Sequence, residues 1–387
     1  AMNGSAGDFI AQPLPSWRRA VLKVGSSLLA GFADQTPGSG LDARHATSLA
    51  RFVTEARAQG REVVLVSSGA VAAGRGRIAT GGNGLVQRQA LAALGQASLI
   101  AFWQALSPVP VAQVLLTHDD LRNRRRYLNA RESLHELLRL GALPVINEND
   151  TVAVDELKLG DNDNLAAAVA SLVEADLLLI ATDIGGLYSA HPQQDPGARP
   201  ITFVECVTPE LFAAASGGAG RLGTGGMHTK LEAAAKAASA GIATALFCGR
   251  DDAIVRALSQ GMLHGTLIAG HGDRLRARKQ WLRHAPASGV LFVDEGAEGA
   301  LHRRGASLLP GGVVTVEGEF RRGDVVDIRA VSTGQPLARG QAQYNASEVR
   351  RIARHHSSEI EALLGFRYGE SVIHRDDLVV LHAGSKA

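Results

Sequence analysis

The sequence predicts an α/β protein: an open, mainly parallel sheet sandwiched by helices, followed by a small β-rich domain. Three observations carry that prediction. Over residues 17–272 short, nearly continuous apolar runs alternate with helix-length stretches, as expected of strands buried on both faces and joined by crossover helices. Several helix patterns close on glycine just before the next apolar run, a common C-terminal stop. Beyond residue 289 the pattern becomes short alternating runs punctuated by glycine, which reads as a small barrel or sheet.

Residues 1–16, which open "AMNGSAGDFIAQ", read as a disordered leader. The first domain then spans 17–272. Its strand candidates are "AVLKVGS", "EVVLVSS", "VPVAQVLLT", "LPVIN", "DLLLIAT" and "TALFCG". Helix patterns lie between them: "ARHATSLARFVTEARAQG", "LVQRQALAALGQASLIAFWQAL", "NLAAAVASLVEA" and "LEAAAKAASAG". The basic run "NRRRYLNAR" reads as a solvated helix face or a subunit contact, with a nucleic-acid contact as the alternative. A basic, proline-ended linker occupies 273–288. A second domain over 289–383 combines the strand candidates "GVLFVDEG", "GVVTVEG", "GDVVDIRAV" and "PLARGQAQY" with helical pieces near "SEVRRIARHH" and "SEIEALLG".

Composition narrows the class. The chain has 387 residues, 45% hydrophobic and 20% charged, enough for two globular domains. A net charge of +2 demands neither nucleic acid nor an anionic membrane as partner. No apolar run approaches the ~18 residues of a membrane span, and Lys23 interrupts the one stretch resembling a signal core. Cys206 and Cys248 stand far apart with no CxxC pair, which points to a reducing compartment. Both sit in apolar runs and read as small core residues. A cytoplasmic protein is expected.

Ligands of open α/β sheets bind at the carboxyl ends of the strands, so the residues there are the candidates. Lys23 lies inside the first strand, where an ammonium is costly unless it meets an anion; a snorkelling edge lysine is the alternative. Gly25, Ser26 and Ser27 follow, with backbone N–H groups suited to phosphate. Ser68 and Gly69 open a helix after the second strand, where free N–H groups favour an anion and a plain serine cap is the competing reading. "NENDTVA" places Asn147 and Asp150 in a polar loop. "GDNDNLAA" crowds Asp161, Asn162, Asp163 and Asn164 onto a helix start that needs one cap, leaving the others for a ligand, directly or through Mg²⁺. Thr182 and Asp183 follow the most apolar strand, with Tyr188 nearby as a stacking or ordinary packing aromatic. "GTGGMHTK" frees its backbone at Gly223, Gly225 and Gly226, and offers Thr224, Met227, His228, Thr229 and Lys230 at the start of a helix. It is not a GxxxxGK[ST] loop. Two lysines, glycine-rich loops and an Asp/Asn cluster suit phosphoryl transfer, which needs positive charge and positioning rather than covalent chemistry. No metal ligand set stands out, and no HExxH or Cys/His cluster occurs.

Taken together and in order, "VLKVGSSLL", "VSSGAVAAGR", "QALAALGQ", "YLNARE", "PVINENDTVA", "GDNDNLAA", "TDIGGLY" and "GTGGMHTKLEAA" resemble the glutamate-phosphorylating branch of the amino acid kinase family. "VDEGA", "GASLLPGGV", "GDVVDI", "YNASEVRRI" and "HRDDLVVL" resemble its C-terminal PUA domain. The resemblance covers about 20–382. It implies ATP-dependent phosphorylation of the side-chain carboxylate of L-glutamate, the first step of proline synthesis. It also implies Mg²⁺, feedback inhibition by proline at the glutamate pocket, and a homo-oligomer, dimer or tetramer, built through the kinase domain. Carried onto this sequence, Lys23, Lys230 and Asp163 are the catalytic residues, with Asp163 organising the lysines. Ser68, Gly69, Asn147, Asp150 and Asn162 bind glutamate. Lys23, Gly25, Thr182, Asp183 and the Thr224–Gly225–Gly226–Met227–His228–Thr229–Lys230 loop bind ATP. RNA is not an expected partner of the second domain, since only 4% of the chain is aromatic. Two readings compete: an amino acid kinase acting on another carboxylate, a carbamate or a nucleotide, and an RNA-binding protein acting through the second domain.

Overall fold

The computed structural model describes residues 9–30, 40–78, 84–153, 162–190, 195, 197–215, 226–271, 279, 282–283, 285–304 and 306–381. The chain divides into two units, 1–272 and 273–387.

The first unit is built on an eight-stranded sheet. In chain order its strands are β2 (Arg19–Val24), β3 (Glu62–Ser67), β4 (Val111–Leu116), β5 (Leu143–Glu148), β6 (Leu177–Thr182), β9 (Phe203–Val204), β10 (Ala243–Cys248) and β12 (Gly265–Ile268). They lie side by side as β4-β5-β3-β2-β6-β10-β12-β9. From β4 to β10 every pairing is parallel; β12 runs antiparallel to β10. The chain grows outward from β2 through β3 and then crosses to the other side of β2 with β6. That reversal opens a crevice at the carboxyl ends of β2 and β6, where such sheets bind ligands.

The helices are α1 (Ala43–Ala58), α2 (Ala70–Arg75), α3 (Leu85–Leu106), α4 (His118–Arg122), α5 (Arg124–Arg139), α6 (Asp163–Leu172), α7 (Pro209–Ala215), α8 (Met227–Ser239) and α9 (Asp252–Ser259). One apolar cluster joins α1, α2, α3 and α9 to one face of the sheet through Leu22, Leu65, Leu179 and Phe247. A second joins α5, α6 and α8 to the other face through Val21, Val64, Ile146 and Ile180. Strand residues alternate between the two clusters, so β6 is apolar up to its closing Thr182 and the middles of β2 and β3 are apolar on both sides, as expected of covered strands, with Lys23 and Ser67 the buried polar residues near their carboxyl ends. β4 departs from that expectation. It is the sheet edge and stays half-exposed, with Gln113 exposed at its middle.

Two other expectations are corrected. Residues 9–16 are not a disordered leader. Phe9 is 2% exposed and packs edge-on against Tyr188 at 5.2 Å between ring centroids. β1 (Gln12–Pro13) pairs with β11 (Met262–Leu263), and Gln12 Nε2 donates to Thr202 O at 2.6 Å. A segment with an aromatic anchor and ladder partners is held by burial its composition does not advertise. Cys206 is exposed, whereas Cys248 is buried. Tyr188 itself lies in the short strand β7 (Leu187–Tyr188), paired with β8 (Pro200–Ile201).

The second unit is a five-stranded sheet formed by β13 (Gly289–Val293), β14 (Val313–Gly318), β15 (Val325–Ala330), β16 (Pro336–Gln341) and β17 (Leu378–Val380), in the order β14-β13-β15-β16-β17. The helices α10 (Glu295–Arg304), α11 (Ala346–Ile352) and α12 (Ile360–Leu364) complete it. Leu291, Ile328, Tyr344, Ile352 and Ile373 centre its core. The expected linker contributes to this unit. Leu282 and Ala285 pack with Val325 and Val379, and Arg339 Nη1 donates to Ala285 O at 2.8 Å.

Candidate active site

Lys23 stands one residue from the end of β2 and is 2% exposed. Its Nζ lies 2.7 Å from Asp163 Oδ1. Asp163 is the first residue of α6 and has 0% exposure. Its other oxygen, Oδ2, accepts from Lys230 Nζ at 3.1 Å and from Thr229 Oγ1 at 2.9 Å. Two ammonium groups from distant parts of the sequence thus converge on one buried carboxylate at the sheet's switch point. Lys230 sits in the first turn of α8, 7% exposed. A Cβ on Gly25 would lie 3.5 Å from Lys23 Nζ, so the backbone just past β2 runs beside the same ammonium.

Helix starts surround this cluster. Gly69 caps α2 and Gly226 caps α8, both at positive φ, 115° and 110°, where glycine alone is unstrained. Neither start carries a side-chain cap among the described residues; α6, preceded by Asn162, and α3, preceded by Gly84, have none there either. By contrast α1, α4, α5 and α9 are each capped by a side chain: Asp42, Thr117, Asn123 and Asp251. Helix N-termini left open beside lysines favour an anion.

Asn162 was expected among residues that include one cap. Its side chain instead donates from Nδ2 to Asn147 Oδ1 at 2.8 Å and to Ser68 Oγ at 3.2 Å. Asn147 Nδ2 donates to Gln96 Oε1 at 2.9 Å, and Gln96 Nε2 to Gln113 Oε1 at 3.3 Å. Ser68, Asn147 and Asn162 therefore form one hydrogen-bonded row beside Gly69. Asn164 serves another purpose. It donates to Glu232 Oε2 and accepts from Lys236 Nζ, joining α6 to α8.

Asp150 is half-buried at the turn after β5, and burial pushes its carboxyl up to about 6, against the pull of Arg88. Thr182 is buried at the tip of β6, and its Oγ1 donates to Asp183 Oδ1 at 3.3 Å. Asp183 is exposed, 3.8 Å from Arg250 Nη2. His228 lies 3.5 Å from Glu232 Oε1, with its ring 5.1 Å from that of Phe212; Met227 is half-buried beside it. Asp161, Gly223, Thr224 and Gly225 lie outside the described residues.

Sequence reasoning missed Gln96, Arg88 and Arg250. Gln96 had a signal: a glutamine 9% exposed on the otherwise apolar side of α3 must have a polar partner. Arg88 and Arg250 had none, because long side chains reach the site from helices and loops that sequence leaves unplaced.

The donor set suits a phosphate-bearing ligand: two ammonium groups, open helix starts and glycine backbone. It does not offer Asp163 as a metal ligand, because both carboxylate oxygens are taken by lysines and Thr229. No group of three or more His, Cys, Asp or Glu side chains that could hold a metal occurs among the described residues.

The amino acid kinase family model matches residues 18–248, which span β2 to β10 and every residue of the lysine cluster. The chain belongs to the amino acid kinase family. A PUA domain model matches 289–364, the larger part of the second unit. Curated relatives within the kinase family carry the name glutamate 5-kinase. That of Xanthomonas euvesicatoria pv. vesicatoria (strain 85-10) is 63% identical over 367 residues, covering 93% of this chain and 100% of its own. Those of Xanthomonas axonopodis pv. citri (strain 306) and Xylella fastidiosa (strain 9a5c) are 63% and 58% identical, over 100% and 98% of their lengths. For this amino acid kinase, the lysine cluster lies inside the matched kinase region, and the second unit lies outside it.

Proposed function

We propose that the chain transfers the γ-phosphoryl group of ATP to the side-chain carboxylate of L-glutamate, forming L-glutamyl 5-phosphate, the first step of proline synthesis. The observation that carries phosphoryl transfer is the convergence of Lys23 and Lys230 on Asp163 at the switch point. The substrate is supported by relatives named glutamate 5-kinase at 63% identity over almost the whole chain.

A glutamate carboxylate is ionised at neutral pH, its pKa being ~4, so the attack on γ-phosphorus needs no strong base. The barrier is repulsion between an anion and a polyanion. Lys23 and Lys230 stabilise the charge that builds on the transferring group, and Asp163 holds them in place in advance. The open start of α8 and the Gly25 backbone support the phosphates. On the acceptor side, Ser68, Gly69, Asn147 and Asn162 orient the glutamate, and Asp150 pairs with its α-ammonium. Mg²⁺ is the usual companion of ATP in kinases. With Asp163 taken, it would be held by phosphate oxygens and water rather than by a protein cage.

Proline as an inhibitor at the glutamate row, a homo-oligomer built through the kinase unit, and a cytoplasmic location complete the proposal. No described helix is long and apolar enough to cross a membrane. ATP-dependent glutamyl hydroxamate formation, with and without proline, tests the reading. ADP release with N-acetylglutamate, aspartate, carbamate or UMP, but no hydroxamate from glutamate, would overturn it.

A further inference from the structure

The first unit contains a cavity of about 300 Å³ that shares no residue with the lysine cluster or the glutamate row. Leu143, which opens β5, and Val109, just ahead of β4, both line it. It therefore lies toward the amino ends of the strands, away from the switch point. Its walls are apolar, with Val53, Leu65, Trp103 and Leu106 prominent. Arg57, near the end of α1, is the one charged side chain lining it among the described residues.

Arg57 Nη1 donates to Ala142 O at 3.2 Å and Nη2 to Gly141 O at 2.5 Å. Those bonds fasten the guanidinium beside Leu143 and use two of its five N–H donors. Glu62 acts on it only through space, and burial pulls its pKa down. A partly buried arginine bonded to neutral carbonyls would be stabilised by a carboxylate, whose two oxygens match the guanidinium fork.

We propose that this cavity is a second ligand site, for a small apolar carboxylate. The hydrocarbon part would lie against Val53, Leu65 and Trp103, with the carboxylate on Arg57. The volume sits at the lower end of ligand pockets, roughly 300–1,000 Å³. Free amino acids are disfavoured, because among the described residues the lining holds no carboxylate for their ammonium.

The site also has a route to the glutamate row. Trp103 lines the cavity, and its Nε1 donates to Ser67 Oγ at 2.8 Å. Ser67 Oγ donates to Ser68 O at 2.9 Å, and Ser68 Oγ accepts from Asn162. A ligand that shifts the indole therefore acts on Ser68. This coupling, unlike the site, rests on the glutamate reading.

The test is a titration of the ¹⁵N-labelled full chain with 4-methylpentanoate, following the indole N–H resonances. The chain has three tryptophans, and Trp103→Phe identifies the relevant signal. A saturable shift of the Trp103 resonance is expected. Leucine and 4-methylpentanol should bind at least tenfold more weakly. Arg57→Gln should erase the preference for the carboxylate, and Ala50→Leu, which fills the cavity from α1, should abolish binding of all three. No saturable shift, or equal affinity for acid and alcohol, overturns the site. Binding with no change in glutamate KM overturns the coupling alone. Absence of hydroxamate activity in the unliganded wild-type chain overturns the glutamate reading and leaves the site standing.

Discussion

Between two ammonium groups and with no exposed surface, Asp163 holds a geometry that neither lysine could keep alone. Removing one member of a buried ionic cluster leaves the others unpaired, at about 3–5 kcal/mol. Asp163→Asn is therefore expected to lower the urea midpoint of unfolding as well as the activity. Under the proposed phosphoryl transfer, Lys230→Ala is expected to act mainly on the transition state. It should lower kcat by roughly 10²–10³-fold, as for other preorganised donors, with a smaller rise in KM for ATP; an unchanged kcat would contradict the role. Asp150 supplies a pH signature. Its carboxyl is raised to about 6 by burial, so below that pH it becomes neutral and loses its hold on an ammonium. Glutamate KM should rise as pH falls through about 6, whereas Asp150→Asn should show a high KM that does not change over the same interval. Equal pH profiles in the two proteins would sink the assignment.

The elements carry these residues into position by close packing and local rules. α2, which presents Gly69, lies so near α3 that a Cβ on Gly95 would come within 1.8 Å of Ala70 O. Backbone cannot yield cheaply there, and overpacking costs about 1–3 kcal/mol. Gly95→Ala should lower Tm and raise glutamate KM together, since α2 and the Ser68–Gly69 turn must move. Only a fall in Tm, with KM unchanged, would show that α2 does not carry the site. The six apolar runs read as strands all appear as strands; for the five inner ones, continuous burial on both faces leaves a local signature. β12 and β9 escaped notice, since four and two residues are too short to show a period. The role of β4 as an edge was equally invisible. Strand order is a matter of which crossover goes where, and no local pattern reports it.

At the scale of the molecule, each unit has its own apolar core. Residues 1–272 are thus expected to fold and to form glutamyl hydroxamate without the PUA unit. A truncated chain that is soluble and folded by circular dichroism but inactive would assign the second unit a part in catalysis. What the sequence by itself determined is whatever local patterning encodes: the α/β class, the change of pattern beyond residue 289, and the polar and glycine residues crowded at strand ends. Those residue types were legible because a lysine in an apolar strand, or several Asn and Asp at one helix start, exceed what local structure requires. Tertiary structure alone decided which of them meet. It set Lys23 and Lys230 on the two oxygens of Asp163, turned Asn162 from cap to hydrogen-bond donor, drew Gln96 into the hydrogen-bonded row of Ser68, Asn147 and Asn162 and sent Asn164 to join two helices. It also brought Phe9 into the core from a segment that reads as disordered. The physical reason is the same in each case. Long-range pairing depends on strand order and helix packing, which are chosen by the burial of the whole chain and not by any window of it.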